Sequence, residues 1–139
     1  MSHAKNLTSA DRHSIFLKKK NKLHAIVFDG KSKFKPEIEF DINLGIAGYV
    51  ARKGKSFRSS SIENNSLFNK TIDQRTGYTT KNILCLPIKT SDGTVVGVGQ
   101  LINKTKGAGF VQSDEDLAIR LIEICGATIQ HVSKIKNGF

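Results

Sequence analysis

The chain has 139 residues, 38% of them hydrophobic, with 12 glycines, two cysteines and a formal net charge of +10 from 22 Lys and Arg against 12 Asp and Glu. That length suits one domain, 1–139 with a core about 11–132, and the apolar share excludes a disordered chain. The longest apolar runs, 83–88 and 95–98, are too short for a membrane span, while the positive charge favours anionic partners.

Residues 1–11 read as the end of a helix that starts upstream, and no charged-then-apolar leader precedes the first strand, so the expectation is a cytoplasmic chain without a membrane partner. Residues 14–17 and 23–28 are β-rich runs joined by a polar turn over 18–22, ended by Asp29-Gly30. Much of the charge lies here, in Lys18, Lys19, Lys20 and Lys22, and in Lys31, Lys33 and Lys35. Without zinc-finger spacing, an RNA-recognition signature or a recognition helix, it reads as solvated surface, and nucleic acid is not an expected partner.

In 36–42, Ile38, Phe40 and Ile42 alternate with Glu37, Glu39 and Asp41, the period-2 pattern of a half-buried strand. Gly45-Ile46-Ala47-Gly48 opens a short helix that Gly54 stops. Residues 59–80 are polar, with scattered anchors at Ile62, Leu67, Phe68, Ile72 and Tyr78, and suggest short helices and a functional lid. Residues 82–89 and 95–103 are strands around a tight Asp92-Gly93 turn, and Pro87 requires a bulge or an edge in its strand. A last helix begins at Ser113, with Asp116 completing a capping box, and Leu117, Leu121, Ile124, Cys125, Thr128 and Val132 share one face. The order, with antiparallel neighbours instead of βαβ units, is α+β. Cys85 and Cys125, far apart in apolar segments, read as buried free thiols.

Asn103-Lys104, then Phe110, then Asp114-Glu115 form a spaced signature crossing from the last strand to the last helix. It resembles the Asn-Lys, Phe, Asp-Glu signature of GAF domains in cyclic-nucleotide phosphodiesterases and related cyclases. Further blocks follow in family order: 11–17, 27–30, 45–51, Phe68-Asn69-Lys70, Thr76-Gly77-Tyr78, 82–88 and 97–104. The resemblance implies a GAF-like six-stranded antiparallel sheet flanked by helices, with Lys104 and Asp114 paired to tie strand to helix and the ligand pocket elsewhere.

For that pocket, the resemblance implies that Phe28 packs on a purine, that Asp29 and Ser14 bond its edge, and that the backbone N–H groups of Ile46 and Ala47 hold the cyclic phosphate. Asn69, Asp73, Thr76 and Thr80 match positions contacting phosphate and ribose, and Gln100 one facing the ribose. From the residues alone, composition favours Phe28 as a core residue and Asp29-Gly30 as a turn, Ile46-Ala47 is equally an ordinary helix start, and a run as polar as the lid is usually solvated. His13 departs from the family, which commonly has Cys there, and Asn69 stands where some members have Tyr.

A phosphodiesterase catalytic site needs clustered His and Asp for metals, yet His3, His13, His24 and His131 are scattered and none is followed by Asp. A phosphate-binding Gly-x-x-x-x-Gly-Lys-Ser/Thr is absent. The expectation is therefore no catalytic residue, no metal and no cofactor. The chain would be a regulatory domain binding cyclic GMP or cyclic AMP, with a slight preference for GMP because Asp29 can accept from guanine N1–H. Its output domain would be absent from the chain, and its partner a second copy or a neighbouring GAF or catalytic domain. The other reading is a GAF-like dimerisation module with an empty pocket or a different small ligand.

Overall fold

A computed structural model describes residues 9–28, 39–62, 80–107 and 109–135. Strand β1 (Ala10–Lys19) and β2 (Lys22–Phe28) form an antiparallel hairpin in which Lys19 faces Lys22. Lys20, at φ 56°, supplies the left-handed residue that a two-residue hairpin loop requires. The turn is thus narrower than the polar composition of 18–22 suggests, because both strands extend into it. Ala10 and Asp11 belong to β1, which corrects the helix expected over 1–11; residues 1–8 lie outside the described residues.

Among the described residues four more strands and two helices follow. These are β3 (Glu39–Asp41), α1 (Gly45–Lys53), β4 (Phe57–Ser59), β5 (Ile83–Lys89), β6 (Val95–Lys104) and α2 (Gln112–Ile135). The strands lie in the order β3-β2-β1-β6-β5-β4, every neighbouring pair antiparallel. The α+β class expected from the element order is borne out. β4 was not foreseen, since three residues are too few for a readable alternation. Of the strand expected over 36–42, residues 39–41 are β3; residues 36–38 lie outside the described residues, as do 63–79 of the expected lid.

Each sheet face has its own core. Phe16, Leu23, Ala25, Cys85 and Val98 pack with Ile46, Ala47, Val50 and Ala51 of α1. On the other face Leu84, Leu86, Ile88 and Leu101 pack with Phe110 and with Ala118 and Ile122 of α2. The continuous apolar run in β5 is explained by this arrangement, because alternate residues serve opposite cores. Pro87 is accommodated as foreseen: β4 pairs only with Ile83, Leu84 and Cys85, so no strand needs its missing donor, and the register shifts between Ile88 and Lys89.

The start of α2 differs from the capping box expected at Ser113. Val111 is the residue whose carbonyl accepts the first helical N–H groups, from Asp114 at 3.0 Å and Glu115 at 3.2 Å. Asp114 Oδ2 returns the favour at the Val111 N–H, 2.9 Å away, while Asp116 accepts from Gln112. The packed face is also shifted: Ala118 and Ile122 are buried, Ile119 and Leu121 flank them, and Leu117 is only half-buried. The side chains of Ile124, Cys125, Thr128 and Val132 lie outside the described residues.

At the far end of α1, Gly54 at φ 66° donates its N–H to the Val50 carbonyl at 2.8 Å, a left-handed helix stop. Gly48 has a different task. A Cβ there would stand 2.3 Å from the Ile42 carbonyl oxygen, which also accepts a 2.7 Å bond from Arg52 Nη1. The absent side chain lets α1 lie against the backbone leaving β3.

The β5–β6 turn is held by Asp92, whose carboxylate accepts from Thr90 Oγ1 and, at 3.0 Å, from the Thr94 N–H. These bonds favour the ionised form and lower its pKa to about 2. Asp92 therefore contributes to stability above its ordinary carboxylate pKa, and the contribution is lost as pH falls toward 2. A carboxyl titration followed by NMR is expected to place its midpoint near 2. Gly48→Ala is expected to lower stability by about 1–3 kcal/mol in urea denaturation, despite alanine's better helix propensity.

Candidate functional site

Strand register brings three sequence-predicted residues into one line. Ser14 pairs with Phe28 on one side and Gln100 on the other, and Gln100 pairs with Cys85, which pairs with Phe57. Directly paired residues share a face, at about 4.7–4.9 Å per strand step. That face is the one covered by α1, since Phe16 and Val98, two positions from Ser14 and Gln100, pack with Ile46 and Ala47. Ser14 is buried and Gln100 half-buried. Phe28 is the last residue of β2, which puts it at the sheet position where the chain leaves for Asp29.

Helix α1 presents its N-terminus to the same layer. Leu44 is its N-cap, with no side-chain bond to the helix, and the first turn holds no acidic residue. The N–H groups of Ile46 and Ala47 are therefore first-turn donors without a competing side-chain cap, in a field that favours an anion. Thr80 is buried just before β5. Asp29, Asn69, Asp73 and Thr76 lie outside the described residues.

Cys85, next to Gln100 in the row, is a free buried thiol whose pKa is pushed far up by burial, so it stays protonated and unreactive. His13 is buried on the opposite face, where it pairs with Leu101. A cavity of about 280 Å³ also lies on the α2 side, lined by Pro87, Lys89, Ile119, Ile122 and others, and includes none of the predicted site residues. Among the described residues no group of three His, Cys, Asp or Glu is placed to hold a metal, and no helix is long and apolar enough to cross a membrane.

The signature residues sit behind this site. Lys104 Nζ lies 2.6 Å from Asp114 Oδ2, with both side chains mostly buried. Strict alternation would have put Lys104 on the face of Gln100. Asn103, at φ 55°, interrupts it, and an asparagine tolerates that left-handed conformation. Asn103 Oδ1 accepts the N–H groups of Lys81 at 2.6 Å and Asn82 at 3.1 Å, while Asn82 Oδ1 accepts from the Lys104 N–H at 2.9 Å. This reciprocal clasp pins the backbone immediately after Thr80. Phe110 is buried in the α2 core. Glu115 accepts from Ser56 Oγ at 3.0 Å and from Arg58 Nη1 at 3.0 Å, joining β4 to α2.

Asn82, Ser56 and Arg58 were missed by sequence reasoning. Asn82 could have been found from strand register, which sets its strand end beside that of Asn103. Nothing in the local pattern marks Ser56 or Arg58, because their partner lies on a distant helix.

Comparison with known proteins gives four likenesses. A model of the GAF domain family matches residues 1–129. The chain is 38% identical over 143 residues to the probable 3',5'-cyclic phosphodiesterase pde-5 of Caenorhabditis elegans, covering 94% of this chain and 19% of that protein. It is 39% identical over 95 residues to the dual 3',5'-cyclic-AMP and -GMP phosphodiesterase 11 of Drosophila melanogaster, covering 68% of this chain and 6% of that protein. The chain thus spans less than a fifth of the length of either relative. In fold, it matches the GAF domain from a phosphoenolpyruvate-protein phosphotransferase of Coxiella burnetii with a TM-score of 0.83 at 16% identity, over 98% of this chain and 80% of that one.

Removing one partner of the Lys104–Asp114 pair strands a charge among apolar neighbours. Lys104→Met and Asp114→Ala are each expected to cost about 2–4 kcal/mol in urea denaturation. The double variant should lose less than the sum, because the two changes share one interaction.

Proposed function

Since the chain belongs to the GAF domain family, we propose that it is a regulatory domain that binds a cyclic nucleotide and performs no chemistry itself. The observation that supports this reading is the register that pairs Ser14 with Phe28 and with Gln100, with Ser14 and Gln100 on the sheet face that α1, whose N-terminus is uncapped and acid-free, covers. A cyclic nucleotide has a flat apolar base, a polar base edge and a single negative charge, and this face offers a partner for each.

In this reading the purine stacks on Phe28, with Ser14 and Asp29 bonding its edge. The N–H groups of Ile46 and Ala47 hold the phosphate, Gln100 faces the ribose, and Asn69, Asp73, Thr76 and Thr80 complete the contacts to ribose and phosphate. Cyclic GMP is preferred over cyclic AMP because the Asp29 carboxylate accepts from both guanine N1–H and its amino group, whereas adenine offers only an amino donor. The parent would be a cytoplasmic 3',5'-cyclic-nucleotide phosphodiesterase, its output domain controlled through α2 and its partner a second copy or a neighbouring GAF or catalytic domain. Ligand held by residues 59–80 would reach α2 by way of Ser56, Arg58 and Glu115.

Isothermal calorimetry with cyclic GMP and cyclic AMP tests this directly. Binding of at least one is expected, with Phe28→Ala weakening it roughly 10–100-fold, the loss of one base–aromatic stack, at unchanged circular dichroism. Asp29→Ala is expected to cost more for cyclic GMP than for cyclic AMP. Absence of heat with both nucleotides would sink the reading and leave a GAF-like dimerisation module with an empty pocket or another ligand.

A further inference from the structure

The positive charge is not evenly spread over the described residues. The β1–β2 hairpin tip carries Lys19, Lys20 and Lys22, and β5 ends in Lys89 beside the start of β6. Leu17 pairs with Gly97, so these two tips lie at the same end of the sheet. Helix α1 spans that end: Ile42, which precedes it, donates to the Asn21 carbonyl at 2.8 Å, and a Cβ on Gly54, which stops it, would meet the Lys89 and Val95 side chains. Lys53 and Lys55 flank Gly54 there.

All six lysines are exposed. Three carboxylates share this end with the six lysines: Glu39 pairs with Lys22 and His24, Asp41 accepts the Asn43 N–H, and Asp92 is bound within its own turn, so the lysines still exceed the acids. One large apolar side chain stands out in the same region. Leu44, whose N–H bonds the Asp41 carbonyl, is 51% exposed.

We propose that this lysine-rich end, centred on the exposed Leu44, docks on an anionic phospholipid bilayer. Its composition distinguishes a lipid surface from other anionic partners. Lysine is depleted in protein–protein interfaces, where arginine and aromatic anchors dominate, and among the described residues at this end six lysines stand beside one arginine, Arg52, whose guanidinium is bonded to the Ile42 carbonyl. Nucleic-acid recognition calls for groove-reading helices or stacking aromatics, and among the described residues at this end there are none exposed. A dispersed set of hydrated point charges around one aliphatic side chain suits a surface of many mobile anionic headgroups, with the leucine entering the interface. The inference is independent of nucleotide binding.

Vesicle co-sedimentation of the whole chain tests it, using phosphatidylcholine alone and phosphatidylcholine with 30% phosphatidylserine, at about 100 and 500 mM salt. Binding is expected only to the anionic vesicles and only at the lower salt. Replacing Lys19, Lys20, Lys53 and Lys55 by glutamine should weaken it at least tenfold, and Leu44→Ser severalfold, with circular dichroism unchanged. Lys81→Gln with Lys106→Gln, at the other end of the sheet, should have little effect. The proposal is overturned by absence of binding, by equal binding to neutral vesicles, by equal loss in the Lys81 and Lys106 variant, or by tighter binding to poly(U) than to the anionic vesicles.

Discussion

One ion pair sets the relation between the sheet and its long helix. Asp114 stands in the first turn of α2, where its carboxylate both satisfies the Val111 N–H and meets Lys104 at the end of β6. A carboxylate in that turn is favoured by the helix dipole, so the same group starts the helix and fixes it to the strand. Lys104 reaches it only because Asn103 breaks the alternation of β6, and the side chain of Asn103 then holds the start of β5. Three consecutive demands, on backbone conformation, backbone hydrogen bonding and charge pairing, explain why these residue types occur together at this spacing.

The consequence for the candidate site is indirect. Ser14 and Gln100 sit on the face opposite α2, away from the Lys104–Asp114 pair. What the signature supplies is a tie between the ends of β6 and β5 beneath the row, which fixes the backbone next to Thr80. Glu115 extends the same bracing outward, reaching β4 through Ser56 and Arg58. Such charged bonds near the surface contribute modestly to stability. Their importance is geometric, since β4 is held by only three paired positions on β5.

Much of this was legible in the sequence. The two hairpins, the Gly54 stop of α1, the position of Pro87 and the α+β class follow from turn chemistry and hydrophobic period, which act over a few residues. The start of α2 was misread by two residues because Ser113 offers an apparently better cap than Val111; the tertiary pull of Lys104 on Asp114 decided the matter. Leu117 looks more apolar than Ala118, yet α2 approaches the sheet through Ala118 and Ile122, with the expected Leu121 packed beside them. The row through Ser14 was invisible from spacing, because register depends on pairing between residues far apart in the chain. Only the family resemblance pointed to its members.

The central place of β1 between β2 and β6 has a bearing on how the chain acquires its structure. Ala10 pairs with Lys104 and Leu17 with Gly97, so the middle of the sheet joins nearly the first described segment to nearly the last strand. Such non-local pairing must pay a large loop-closure cost before it is rewarded, which places this topology among slowly folding ones. During synthesis the β1–β2 hairpin would emerge with the edge of β1 unsatisfied until β6 leaves the ribosome, a period in which that edge is open to other chains.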